Sequence, residues 1–155
     1  MTDTTGARVR EPAADETDGN EIVVRRFLDQ VINGGHLDLV ADLWAADLAW
    51  HGGSLGDVYG IDAYRQMLGA DAGAAFTGMH LTIHEVISHG DKVVVRFTNS
   101  GTHTGTFRGH PATGRHAEWL GIGIYTVRDG RISEAWFAED ILGMLQQLGA
   151  VDQPG

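Results

Sequence analysis

Residues 129–150, DGRISEAWFAEDILGMLQQLGA, compress a turn, a strand, two acids and a helix into one stretch. Asp129-Gly130 is a turn pair, and Arg131 to Phe137 reads as a strand. Glu139 and Asp140 follow. Ile141, Leu142, Met144, Leu145 and Leu148 then recur at helical spacing, so a helix starts directly after the acids. An acid at the mouth of such a junction can cap the helix or carry protons.

Upstream of this stretch the apolar pattern has period two. It predicts strands at 79–88, 92–103, 116–127 and 131–138, separated by Gly90-Asp91, by the region from Gly105 to Gly114, and by Asp129-Gly130. Before residue 79 the pattern is mostly helical. Asp18 and Glu21 have the spacing of a capping box, and Val23, Val24, Phe27, Leu28 and Val31 mark one face of a helix that Asn33-Gly34-Gly35 ends. Leu37, Val40, Ala41 and Trp44 predict a short helix over 37–45. Asp47 to His51 reads as a short strand, 52–60 as a loop, and Ile61, Tyr64, Met67 and Leu68 predict a helix over 61–70. Hairpin-linked strands with helices grouped on one side indicate an α+β fold.

Residues 1–17 are polar, without hydrophobic period, and read as a disordered acidic tail. Residues 18–150 form the single expected domain, and 151–155 a C-terminal tail. The formal charge of −10 argues against nucleic acid and anionic membranes as partners. No apolar run reaches membrane-spanning length, the N-terminus lacks the order of a signal peptide, and there is no cysteine, so a cytoplasmic location is expected.

Three stretches carry a further signal: VVRRFLDQVINGGHLDLVADLWAADLAWH (23–51), GDKVVVRFTNSGTHTGTFRGHPATGR (90–115) and YTVRDGRISEAWFAEDILGMLQQLGA (125–150). In this order they resemble the SnoaL-like polyketide cyclase family, a branch of the superfamily of nuclear transport factor 2, ketosteroid isomerases and limonene epoxide hydrolase. The resemblance implies a strongly curved, mostly antiparallel sheet wrapped around three N-terminal helices. It implies a cone with an internal pocket, a short C-terminal helix, and a homodimer formed through the outer face of the sheet. The superfamily hosts both enzymes and binding modules, so the fold alone does not set the function.

The strand expected at 116–127 alternates, with Trp119, Gly121, Gly123 and Tyr125 on one face and Glu118, Leu120, Ile122 and Ile124 on the other. A two-residue turn at Asp129-Gly130 would set Trp136 beside Gly123. A three-residue turn including Arg128 would set Phe137 opposite Gly121 and Glu139 opposite Trp119. The resemblance favours the second, because family members act from the odd positions. The aldol cyclases of the family use an aspartate at the position of Phe137, a histidine at that of Gly123 and a glutamine at that of Gly121. None is present here, nor is the Asp/Arg/Asp set of limonene epoxide hydrolase. The wall that remains is apolar and flat, widened by the two glycines, and suits a bulky hydrophobic ligand.

The candidate proton carriers are His103 in Gly-Thr-His-Thr-Gly, His51 at the end of the first strand, and Glu139, whose pKa would rise beside Trp119 and Phe137. Each has a plain alternative: a histidine bonding a backbone carbonyl near the rim, a buried histidine fixing the 52–60 loop, a solvated rim carboxylate. Asp140 stands where an N-cap belongs, with a secondary role in orienting a histidine. Trp50, Tyr59, Tyr64, Trp119, Gly121, Gly123 and Phe137 are the candidate substrate contacts, with Tyr59 able to reach over the mouth from its loop.

His80 and His84 would lie about 13 Å apart on a strand, too far to share an ion, so no metal is expected. No Gly-rich phosphate loop follows a strand, so no nucleotide cofactor is implied. These features lead to a cofactor-free cyclase of natural-product biosynthesis acting on a hydrophobic small molecule by acid–base catalysis, and not by the standard aldol route. A non-catalytic binding module and an accessory role in ring hydroxylation are the alternatives.

Overall fold

The structure, a computed structural model, describes residues 14–152. They form a six-stranded curved sheet with helices on its concave face and one short helix at its end. Helix α1 (Ala14–Arg26) runs on through wider π turns over Phe27–Asn33. A 3-10 turn, Leu37–Leu39, leads to α2 (Val40–Leu43), then β1 (Trp44–His51), β2 (Asp57–Tyr59) and α3 (Ile61–Gln66). Wider turns at Met67–Ala72 and the single turn α4 (Gly73–Ala75) lead to β3 (Phe76–His89). The chain ends in β4 (Lys92–His103), β5 (His116–Arg128), β6 (Arg131–Glu139) and α5 (Ile141–Gln147). The strand order is β2-β1-β6-β5-β4-β3, antiparallel except for β1 against β6.

Several expectations shift. The first helix begins at Ala14, so 14–17 are not tail and Asp18 lies inside the helix instead of capping it. The rest of the expected tail, 1–13, and residues 153–155 lie outside the described residues. Glu21 pairs with Arg25 one turn on, at 2.8 Å. Trp44 opens β1 instead of closing a helix, because its fully buried ring packs edge-on against Phe27 at 5.2 Å. The 52–60 loop contains an edge strand, since Asp57–Tyr59 pairs with Ala49–His51.

The helical face Val24, Phe27, Leu28 and Val31 packs on Val93, Val95, Phe97 and Tyr125 of the sheet. Asn33, at the end of the π turns, donates through Nδ2 to the Leu81 carbonyl at 2.9 Å and accepts from the Leu81 N–H at 2.7 Å. That amide holds the helix against β3 just beyond an irregularity between Thr77 and His80.

The junction between β5 and β6 fits neither expected register. The turn has two residues, with Arg128 opposite Arg131 and left-handed backbone at Asp129 (φ 51°) and Gly130 (φ 74°), the geometry a tight hairpin requires. Continued unbroken, this pairing would turn Trp136 and Ala138 toward the concave face. A β-bulge intervenes: Val127 faces Ile132, Thr126 faces Glu134, and Ser133 is the extra residue. From there on the odd positions of β6 face inward. Phe137 lies opposite Gly123 and Glu139 opposite Gly121, two residues away from the expected partners but on the expected face.

Candidate active site

A cavity of about 740 Å³ lies between the concave face of the sheet and the helices. Its wall is mostly apolar and aromatic, including Phe27, Trp50, Met67, Phe76, Phe97, Trp119, Phe137 and Met144. Among the described residues only two charged side chains line it, Glu139 and Arg108.

Glu139 ends β6 and extends its carboxyl across the sheet. Its Oε1 accepts a bond from Trp119 Nε1 on β5 at 3.0 Å and another from Asn99 Nδ2 on β4 at 2.9 Å. Asn99 is two strands away, roughly 10 Å by ladder spacing. The side chain can lie that way because its opposite neighbour is Gly121: a methyl there would stand 3.0 Å from Glu139 Cγ and would overlap the Phe97 ring. Burial pushes the Glu139 pKa above its ordinary 4.5, and the bonds from Trp119 and Asn99 pull it back in part.

Two tyrosines face the same space. Tyr125 is fully buried on β5, and its hydroxyl has no partner among the described residues. Tyr64, on α3, is also buried against Phe27, Trp44 and Trp50. Burial raises both phenol pKa values, Tyr125 and Glu139 add to the rise at Tyr64, and Glu139 adds to it at Tyr125, so both hydroxyls stay protonated donors. Sequence reasoning passed over Tyr125 and Asn99 as site residues. Each shares its strand's inward phase with residues that were singled out, Tyr125 with Trp119 and Asn99 with His103, and that phase was the available signal.

Trp50, Tyr64, Trp119, Phe137 and Glu139 all line the cavity. Other expected site residues do not. His51 points to the convex face, because on β1 it is Leu48 and Trp50 that turn inward. There its Nδ1 lies 2.9 Å from Asp57, its Nε2 lies 3.4 Å from Glu134, and its ring stacks on Trp136 at 3.9 Å. Tyr59 is exposed on the same outer face, edge-on to His51, since β2 pairing fixes it there and not over the mouth.

His103 does keep the inward phase of β4, yet its ring is covered by Phe76 and by the returning segment before β5. The Thr113 N–H donates to its Nδ1 at 3.3 Å, the Thr113 hydroxyl lies 3.1 Å from the same nitrogen, and Nε2 is a buried atom without a partner among the described residues. This is a structural role, but the backbone partner is an N–H and not the carbonyl expected. Asp140 caps α5, its Oδ1 accepting from Gly143 N–H at 2.9 Å, and it is exposed and bonds neither His51 nor His103. Gly121 and Gly123 do not widen the cavity. The Phe97 ring fills the space over Gly121, and Phe137 Cε1 would come within 2.7 Å of a methyl at Gly123.

With this geometry in hand, comparison with known proteins is specific. The model of the SnoaL-like polyketide cyclase family matches residues 22–148. The chain belongs to that family. Among solved structures, IdmH of Streptomyces antibioticus, provisionally assigned as a polyketide cyclase, is 30% identical, with a TM-score of 0.74 over 84% of this chain and 98% of that one. TsrD of Streptomyces laurentii is 27% identical, with a TM-score of 0.76 over 86% and 97%. A SnoaL-like protein from Jannaschia sp. CCS1, 22% identical, shares the fold with a TM-score of 0.82 over 92% and 99%. A comparison with curated proteins finds no significant match. No helix among the described residues is long and apolar enough to cross a membrane.

The raised pKa of Glu139 has a thermodynamic consequence. The folded state holds this proton more tightly than the unfolded chain does. Glu139 therefore favours folding fully below its unfolded pKa, and that contribution is lost as pH rises through the folded value. Glu139→Gln keeps a carbonyl acceptor for Asn99 and Trp119 but does not titrate. The melting temperature of the wild type relative to E139Q is expected to fall as pH rises from the ordinary carboxyl range, 4.5, through the raised folded-state value. A difference independent of pH would contradict the assignment.

Proposed function

We propose that the protein is a cofactor-free cyclase of natural-product biosynthesis that closes a ring on a hydrophobic intermediate held in the cone. The observation that carries this reading is Glu139: a poorly solvated carboxyl on an apolar wall, with both protein bonds on Oε1. Oε2 carries neither bond and takes the proton from the nucleophile, an O–H or an acidic C–H of the substrate. Tyr125, or Tyr64 beside it, donates a hydrogen bond to the electrophilic oxygen, a carbonyl or an epoxide. That oxygen gains negative charge as the ring bond forms and is then protonated by the carboxylic acid. One proton moves from nucleophile to oxygen, so the step balances as an isomerisation with no further reactant.

The standard aldol set is replaced by Phe137, Gly121 and Gly123, so the reading favours epoxide opening or conjugate addition. The aromatic wall supplies the folded shape of the substrate, and holding the reacting atoms together contributes much of the rate. A non-catalytic binding module is the second reading, favoured by that same loss of the aldol residues. We also propose a homodimer through the convex face, where Leu120, Ile122 and Ile124 form an exposed stripe beside Trp136, which is 55% exposed. Sedimentation of Ile122→Lys should then give a monomer, and an unchanged dimer would remove this face from the interface.

Linear polyketide-type ketones and epoxides, followed by chromatography for a product of unchanged mass, test the main reading. E139Q should lower turnover about 100-fold or more, and Tyr125→Phe by about 10-fold or more, with ligand binding retained. Binding without conversion by the wild type would favour the binding module.

A further inference from the structure

The second charged side chain of the cavity has no part in this mechanism. Arg108 lies in the segment between β4 and β5, at the tip of a tight turn in which Phe107 and His110 exchange backbone bonds of 3.0 and 2.8 Å. The base of the segment is anchored, since the N–H groups of Thr104 and Gly105 both donate to the Ala75 carbonyl at 3.1 and 3.0 Å. Thr106, Phe107 and Arg108 all border the cavity. Arg108 itself is exposed, which puts it at the mouth.

Three observations converge on it. Arg108 has left-handed backbone, φ 46°, followed by Gly109 at φ 82°. Glycine or asparagine would occupy that position without strain, so the turn alone gives no reason for arginine. Arg25, Arg96 and Arg128 each face a carboxylate; Arg108, like Arg26, Arg65, Arg115 and Arg131, faces none among the described residues, and of these five it alone borders the cavity. The path inward from it is aromatic: Phe107 packs on Phe76 at 5.5 Å and Phe76 on Trp119 at 5.5 Å, and Trp119 bonds Glu139. A cation at the mouth and an acid deep inside are thus joined by an apolar wall.

We propose that Arg108 is a specificity residue that holds the anionic end of the substrate, a carboxylate or a phosphate, while the apolar body reaches Glu139. This rests on the cavity being the substrate site. The chain as a whole carries −10, which repels an anion at range, and a guanidinium fork at the mouth is the local attraction that reverses this. The anionic group also fixes which end of the chain enters first.

Calorimetric titration with decanoate, decyl phosphate and decanol at one ionic strength tests the assignment. The wild type should bind at least one anionic probe about fivefold or more tighter than decanol. Preference for decanoate alone assigns a carboxylate, and preference for decyl phosphate assigns a phosphate. Arg108→Asn, which tolerates the left-handed turn, should abolish the preference, keep decanol affinity, and melt at or above the wild-type temperature. A preference that survives in R108N, or equal affinities in the wild type, overturns the Arg108 proposal and leaves the cavity reading standing. Failure of all three probes to bind the wild type overturns both.

Discussion

The site depends on one arrangement: the Glu139 carboxyl spans β5 to reach Asn99, taking the Trp119 indole N–H on the way. A carboxyl placed in an apolar cavity without donors would remain a protonated, inert acid over most of the working range. With two donors on one oxygen the rise caused by burial is offset in part, and that balance suits a group that moves protons. The arrangement needs Gly121 beneath it, because any side chain there would displace both the Phe97 ring and Glu139 itself. Packing and chemistry are therefore set by the same glycine.

Much of this was legible in the chain. Period-two alternation located the long strands, and the odd face of β5 was identified with Trp119, Gly121, Gly123 and Tyr125 on it. The inward direction of Glu139 was reached only through the resemblance and a three-residue turn that the chain does not make, whereas the capping role of Asp140 was readable from its place directly before Ile141. What alternation could not supply was the bulge at Ser133. Two errors offset each other there: the turn is one residue tighter than the face required, and the bulge adds the missing residue. Nothing in SEA, residues 133–135, distinguishes a bulge from a regular strand.

The histidines show a different limit. Residue type and position in a strand made His51 and His103 natural proton carriers. Their direction depended on which neighbours the core needed. Trp50 took the inward position on β1, which sent His51 to the convex face against Asp57, Glu134 and Trp136. His103 faces inward at the end of the sheet, where the segment carrying Thr113 folds over it. Tyr125 was hidden by the opposite bias: a buried aromatic reads as core, and only the unpartnered hydroxyl of a residue that borders the cavity marks it as a donor.

The central claim is that the Glu139 carboxyl is held in a poorly solvated wall, where its proton affinity is raised. Carbon-13 NMR of glutamate-labelled protein, with the Glu139 signal assigned by its absence from E139Q, follows that carboxyl directly through a pH titration. A midpoint above the ordinary 4.5 is predicted, moving higher still in Trp119→Phe as one donor is lost. A midpoint at or below 4.5, unaffected by Trp119→Phe, would contradict it.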